Sequence, residues 1–435
     1  MTITRGVAKR SVLWHPAKFC VENSLEEPQA AMRAVRASVM QAVRAQAARH
    51  SSILVRLSGG LDSSIVTSCL PREGDNPHTT CLNFYIPSDG SDEAKGLLLP
   101  GFTEENLAKL RRVIAAADER EFARKVATRC GFRLIEREKR VADYDLEKIW
   151  NAPLSPRPTN YIFVIDEDQV ESECAKESGA SACFTGEAGD TVFFNTLRAI
   201  GAPDYAYLHG ISRSLLSHID YTVRLSGESI GTVLGKVIKY GFLRRRVPLP
   251  YELMKQPHLL VDDVAAGIPA DYFRHPWVDM VPSLCPGKVT HVIGVATSVA
   301  TYHHAYHRER LAPAVNPLSS QPVVETCLRI PSYVLSHNGI SRGLARHAFR
   351  ELLPVEVVGR TVKGTSIGFW QRLVRHNIKY IRDCLLDGRL TREGLLDRRK
   401  LDVYLTANQP FITVQPQQIM DYLSCEAWLA QWTSS

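Results

Sequence analysis

The sequence predicts an α/β fold, a parallel sheet with helices on both faces, followed by a largely helical C-terminal part. Three observations carry that expectation. Short apolar, β-rich runs alternate with amphipathic helical stretches through the first 200 residues, as parallel strands joined by helical crossovers require. Two of these runs end in glycine-bearing loops, Ser58-Gly59-Gly60-Leu61-Asp62 and Thr185-Gly186-Glu187-Ala188-Gly189-Asp190. Beyond about residue 196 strand-like runs fade and helical spacing dominates.

In chain order, Ser24-Leu25-Glu26-Glu27 reads as a capping box ahead of Pro28. Met32, Val35, Val39, Val43 and Ala47 then recur at helical spacing, predicting a helix over 28–48. Ile53 to Leu57 is a short buried strand, and Ser63 to Leu70 a helix. Thr80 to Ile86 is a second strand. A helix from Arg120 to Cys130, a strand at Phe132–Ile135, a helix from Glu167 to Glu177 and a strand at Ala180–Phe184 follow. Asp118-Glu119 partly repeats Ser91-Asp92-Glu93, so 93–118 reads as an insertion on a surface loop, a lid or merely tolerated length, with a helical stretch at Glu104–Ala117. In a sheet of this kind ligands bind beyond the carboxyl ends of the strands, where both glycine loops sit.

Composition narrows the class. Of 435 residues, 23% are charged and 45% hydrophobic, as in folded globular chains. The net charge of +7 favours an anionic partner, which nucleotide, pyrophosphate, acidic peptide or nucleic acid would all satisfy. Ten cysteines without a C-x-x-C pair look like reduced thiols of a cytoplasmic protein. No signal peptide is recognisable, and no apolar run reaches the roughly 18–20 residues of a membrane span. Arg244-Arg245-Arg246 reads as a solvated face. Gly231 to Lys236 misses the P-loop spacing, and His303-His304-x-x-His307 lacks an intervening glutamate and a third ligand, so it reads as packing or substrate contact. No aromatic-basic stripe suggests nucleic acid.

The chemistry sits in the first loop. In Leu57-Ser58-Gly59-Gly60-Leu61-Asp62-Ser63-Ser64 a strand enters, two glycines admit a ligand close to the backbone, and a helix begins at the serines. Its N–H groups form a cradle for pyrophosphate. Asp62 cannot touch phosphate directly, because like charges repel, but it can hold Mg²⁺ against the phosphates.

S-G-G-x-D-S is the motif of PP-loop ATP pyrophosphatases, and residues 13 to 375 resemble the synthetase domain of the asparagine synthetase family. The resemblance implies a PP-loop, Rossmann-like core at 24–200 after an N-terminal extension at 1–23. It also implies a helical part at 201–435 that returns residues 339–364 to the active site. Asp118-Glu119 looks like the family's D-E-x-x-x-A segment, and Thr185 to Asp190 like its S-G-E-G-G-D loop. By that match ATP and Mg²⁺ are the cofactors, with Asp62 and Asp190 as metal ligands. Leu57, Ser58, Gly59, Gly60, Asp62, Ser63, Ser64, Phe84, Thr185 and Gly186 would bind the nucleotide. Glu187 would meet the adenylated intermediate or the amine proton. Ser341-Arg342 and Arg360-Thr361-Val362-Lys363-Gly364 resemble the final catalytic stretch, in which Lys363 and Arg342 would stabilise charge at the α-phosphate and acyl centre.

Departures from the family point to a subtype. Thr2 stands where glutamine-dependent members have cysteine, and only some 50 residues precede the PP-loop, so no glutaminase domain is expected. Gly189-Asp190-Thr191-Val192-Phe193, Cys285-Pro286-Gly287-Lys288 and Ser320-Gln321-Pro322-Val323-Val324-Glu325 look more like lasso-peptide macrolactam synthetases. Ser319 and Ser320 lack the acidic residue that asparagine synthetases carry there. The expected partners are then a leader-processed precursor peptide and a leader peptidase or recognition protein. The competing expectations are an asparagine synthetase using ammonia or a separate glutaminase, and a non-catalytic relict that binds ATP.

Overall fold

The computed structural model describes residues 2–4, 7–9, 14–22, 24–72, 77–87, 113, 116–159, 161–248, 259–269, 272, 277, 284–299, 305–360, 362, 364, 366–406 and 416–433. Most of the expected insertion at 93–118, together with Lys363, His303 and His304, lies outside the described residues. The first residues form a small antiparallel pair, Thr2–Thr4 with Val7–Lys9.

Among the described residues the main sheet has five strands: β1 (Ser52–Arg56), β2 (His78–Tyr85), β3 (Arg133–Glu138), β4 (Cys183–Phe184) and β5 (Ala314–Val315). Their order is β3-β2-β1-β4-β5, every pairing is parallel, and β1 is central. The chain moves from β1 outward through β2 to β3, then returns to the other side of β1 as β4. The loops after β1 and β4 therefore face each other at the switch point of the sheet, where α/β folds bind ligands.

Both faces of the sheet are covered, which explains the uninterrupted apolar run in β1. Side chains alternate along a strand. Ile53 and Val55 join one core with α1 (Pro28–Ala47), α2 (Leu61–Cys69) and α3 (Arg120–Cys130). Leu54 faces the opposite cluster with Leu82, Cys174, Ala175 and Cys183, formed against α4 (Ile165–Ser178). Gly131 and Gly179 end α3 and α4 at φ +77° and +63°, the left-handed turn that glycine adopts without steric cost. The start of α1 differs from the expected Ser24 box: Glu27 caps it, accepting from the N–H groups of Gln29 at 2.8 Å and Ala30 at 2.5 Å. Pro28 at the first helical position places Glu27, not Ser24, at the cap.

The C-terminal half is predominantly helical and also supplies β5. After α5 (Gly189–Val192) come α6 (Gly201–His209), α7 (Arg213–Ser226) and α8 (Ile230–Lys236), which share a small core around Ala202, Ala206, Leu215, Ile219, Val233 and Val237. Then α9 (Pro286–Val299), α10 (Gln321–Leu328) and α11 (Gly343–Phe349) bury Val292, Val323, Leu344 and Phe349 in the same core as α1. The last helices enclose a further cluster centred on Phe369, Leu373, Ile381, Leu401 and Leu423. All ten cysteines are free. Among the described residues no helix is long and apolar enough to cross a membrane.

Candidate active site

The loop after β1 is drawn tight by its own side chains. The Ser58 N–H donates to Ser63 Oγ at 3.2 Å, and the two hydroxyls lie 2.9 Å apart. The Gly60 N–H donates to Ser58 Oγ at 3.1 Å, and Ser64 Oγ donates to the Gly60 carbonyl at 2.6 Å. Gly59 has φ +89°, and a Cβ there would come within 2.4 Å of the Glu119 carbonyl oxygen. Among the described residues no side chain caps α2, so its first-turn N–H groups are available to an anion at the cavity wall.

The loop after β4 presses onto this one. A Cβ on Gly186 would lie 2.4 Å from the Ser63 nitrogen, and one on Gly189 would lie 2.4 Å from both Cβ and Cγ of Asp62. Only glycine permits that approach. Between them Ala188 adopts φ +73°, a conformation that costs an L-residue about 1 kcal/mol. Thr185 donates its hydroxyl to Asn316 Oδ1 at 2.6 Å and accepts from the Glu187 N–H at 3.0 Å, which anchors the loop and leaves the Glu187 carboxylate exposed on the cavity wall.

Arg342 closes the constellation from the C-terminal half. It precedes α11 at φ +55° and is 93% shielded, with Nη1 donating to Asp62 Oδ2 at 2.7 Å and to Asp190 Oδ1 at 2.6 Å. Thus one cationic nitrogen bridges two carboxylates from opposing loops. Asn195 steadies Asp190, donating to its Oδ1 at 2.9 Å while accepting from Ser341 Oγ at 2.6 Å. Arg346, one turn beyond Arg342, donates from Nε to the Ser341 carbonyl at 3.1 Å and from Nη1 to the Val358 carbonyl at 2.7 Å. Burial, then the neighbouring Arg342, lowers the Arg346 guanidinium below its usual range. Across the opening Arg360 pairs with Glu119 at 2.8 Å.

These groups line a cavity of about 860 Å³, whose wall includes Ser58, Gly60, Asp62, Glu187, Asp190 and Arg342. A second cavity of about 280 Å³ shares Arg56, Ser58 and Glu119 with it and is walled by Leu82, Phe84, Ile86 and Gly364. The sequence therefore nominated Ser58, Gly59, Gly60, Asp62, Ser63, Thr185, Gly186, Glu187, Asp190 and Arg342, which share one cavity, and Phe84, which lies in the next. Leu57 and Ser64 are fully buried and support the loop from behind. Lys363 lies outside the described residues, although Val362 and Gly364 line the larger and smaller cavities.

Sequence reading did not nominate Asn195, Arg346, Arg360 or Arg56. The four-residue step from Arg342 to Arg346 was available as a signal; Asn195 offered none. Arg56, at the end of β1, lines both cavities and is held from behind by Glu167 at 2.7 Å and Glu171 at 2.9 Å. Lys139 also pairs with Glu167, and Arg308 reaches Glu171 at 2.5 Å. The Lys139 and Arg56 charges hold the Glu167 carboxyl below the usual range against the opposing effect of burial.

The donor set fits a magnesium ion. Asp62 and Asp190 meet at Arg342 Nη1, and their oxygens are of the kind a hard cation takes, so a metal held between them would displace that guanidinium nitrogen. Among the described residues no group of three His, Cys, Asp or Glu converges. A cation held by these two carboxylates would complete its shell with phosphate and water, as Mg²⁺ does beside nucleotides.

A parallel sheet with a glycine-serine loop opening into a helix at its switch point defines the PP-loop, Rossmann-like class of nucleotide-binding enzyme. A family model described as Asparagine synthase matches residues 34–207 and 314–430, and the chain belongs to this family. At the family level it is an ATP-dependent, amide-forming carbon–nitrogen ligase. A comparison with curated proteins finds no match.

Proposed function

We propose that the enzyme activates a carboxylate as an acyl-adenylate, releasing pyrophosphate, and passes the acyl group to an amine with loss of AMP. The observation that carries this reading is the convergence of Asp62, Asp190 and Arg342 on the wall that also holds the Ser58–Ser63 loop. The loop and the first turn of α2 hold the phosphates of ATP, and the 280 Å³ cavity beside Phe84 suits the nucleoside. Asp62 and Asp190 would hold Mg²⁺, which would supply charge neutralisation at the phosphates. The substrate carboxylate attacks the α-phosphorus. Arg342, Arg346 and Lys363 meet negative charge on the departing pyrophosphate and the tetrahedral adduct. Glu187 faces the amine, where it accepts the proton released as the C–N bond forms. Fixing both reactants in one cavity removes much of the entropic barrier.

For the substrate we infer a peptide, closed into a macrolactam between its N-terminal amine and an Asp or Glu side chain, as in lasso-peptide biosynthesis. Supporting this are Gly189-Asp190-Thr191-Val192-Phe193 and the hydroxyls of Ser319 and Ser320, which turn back to the Asn316 and Pro317 carbonyls and leave no acidic side chain at that point. A leader peptidase or recognition protein would then deliver the substrate. The second reading, conversion of aspartate to asparagine with ammonia, is favoured by the family match itself. The test is mass spectrometry of a reaction with processed precursor peptide, ATP and Mg²⁺. Loss of one water from the peptide supports the macrolactam; asparagine formed from aspartate and ammonia, with the peptide unchanged, overturns it.

A further inference from the structure

The segment 196–248 differs from the rest of the surface. It carries eight lysines and arginines against three acidic residues, an excess of five charges in a chain whose net charge is +7. Its acids are already engaged: Asp204 is fully buried, Asp220 pairs with Arg224, and Glu228 pairs with Lys236 at 2.6 Å. The same segment supplies nine of the nineteen large apolar side chains exposed among the described residues, so the apolar and the basic excess coincide. Surface patches that combine both mark interaction sites.

Their arrangement is ordered. α8 continues without a break through a π-helical turn, Val237–Phe242. Val233, Val237 and Gly241 face inward; a Cβ on Gly241 would lie 2.8 Å from the Ala206 Cβ of α6. Ile230, Leu234 and Ile238, spaced four residues apart, are left on the outer edge and exposed, with Leu243 beyond them. Gly235 beside this stripe faces open space. Exposed Lys239 and Arg244-Arg245-Arg246 crowd its C-terminal end. The family model matches up to residue 207 and resumes at 314, so this surface stands apart from the segments that define the ligase.

We propose that the outer face of 230–246 docks the enzyme on an anionic bilayer surface. A helix lying flat, with an apolar edge and a basic end, inserts its branched side chains at the headgroup boundary while its cations meet lipid phosphates. A bilayer asks for apolar depth and positive charge rather than for a shaped groove, and those are the two properties concentrated here. Engagement of all three acids leaves no carboxylate of the segment free to repel the headgroups.

The experiment is co-sedimentation of the full-length enzyme with vesicles of phosphatidylcholine alone or mixed with phosphatidylglycerol. Binding is expected to be at least about tenfold stronger to the anionic vesicles and to fall with added salt. Replacing Arg244, Arg245 and Arg246 together by Glu, or Leu234→Glu with Ile238→Glu, is expected to lower that binding about tenfold or more, with melting temperature and AMP release unchanged. Equal binding to both vesicle types, or anionic binding indifferent to these variants, would overturn the proposal. Retention by immobilised poly-glutamate without binding to anionic vesicles would also overturn it, assigning the surface to an acidic polypeptide. Loss of vesicle binding together with AMP release and melting temperature in Leu234→Glu with Ile238→Glu would mark a folding defect; the exposed arginine variant then decides by itself.

Discussion

Gly189 opens α5, and an added Cβ would sit 2.4 Å from both Cβ and Cγ of Asp62. Non-bonded carbons rest at about 3.5–4.0 Å, so Gly189→Ala must push the two groups apart by about 1 Å. Neither side can yield freely. Asp62 belongs to the first turn of α2, whose neighbours Ser63 and Ser64 are buried, and Gly189 lies beside the packed Ala188 and Val192. A displacement of this size in a reacting constellation costs about a hundredfold in rate. The expected outcome is a fall of about a hundredfold in kcat for ATP-dependent AMP release, with an unchanged far-ultraviolet circular dichroism spectrum. Gly235→Ala, where nothing lies within 4 Å, is the control and should leave activity intact while adding about 0.5–1 kcal/mol of stability. A folded Gly189→Ala enzyme within threefold of wild-type activity would refute the close apposition of the two loops.

Three further outcomes are expected. Asn195→Ala removes the donor to Asp190 and the acceptor of Ser341, and should raise the Mg²⁺ concentration giving half-maximal activity about tenfold or more; an unchanged Mg²⁺ titration, read also by Mn²⁺ binding in paramagnetic resonance, counts against the role given to Asp190. Glu171→Leu leaves buried Arg308 with only the partly exposed Glu309, at 3.1 Å, and Arg56 with only Glu167, and should cost about 1.5–3 kcal/mol in urea unfolding; a loss below 1 kcal/mol would show that the network behind Arg56 contributes little to stability. Burial raises Asp204 to about 6 despite its bonds from Ser332 and the Gly287 N–H. The folded state therefore holds that proton more tightly than the unfolded chain, and its contribution to stability is present at pH 4 and lost as the pH rises to about 6. Asp204→Asn should remove that slope, gaining on the order of 2–3 kcal/mol relative to wild type between pH 4 and 7; parallel pH–stability curves for the two proteins would contradict this.

What the sequence made legible follows from how strongly local chemistry dictates structure. The run Ile53-Leu54-Val55, bounded by Gly59-Gly60, left little choice but a buried strand and a loop, and α1 was marked by about four turns of apolar spacing from Met32 to Ala47. The two glycine loops carried their own positions because only glycine tolerates the backbone approaches found at Gly59, Gly186 and Gly189. β5 escaped notice: two residues, Ala314 and Val315, have no period, and their place in the sheet is set by pairing with Cys183 and Phe184. Asn195 was equally silent, because its partners Asp190 and Ser341 come together only when α11 docks against α1. The basic run Arg244–Arg246 looked like an ordinary solvated face until the structure set it at the end of the Ile230-Leu234-Ile238 stripe. Arg342 was nominated for phosphate, yet its bridging of Asp62 and Asp190 is a tertiary fact that no spacing encodes.

The most direct test of the account is AMP and pyrophosphate release from ATP and Mg²⁺ by the wild-type enzyme and by Asp62→Ala, with a processed precursor peptide or with aspartate and ammonia. The account predicts stoichiometric AMP and pyrophosphate with the peptide, abolished in Asp62→Ala. Release of ADP and phosphate in place of AMP, or full turnover by Asp62→Ala, would contradict it.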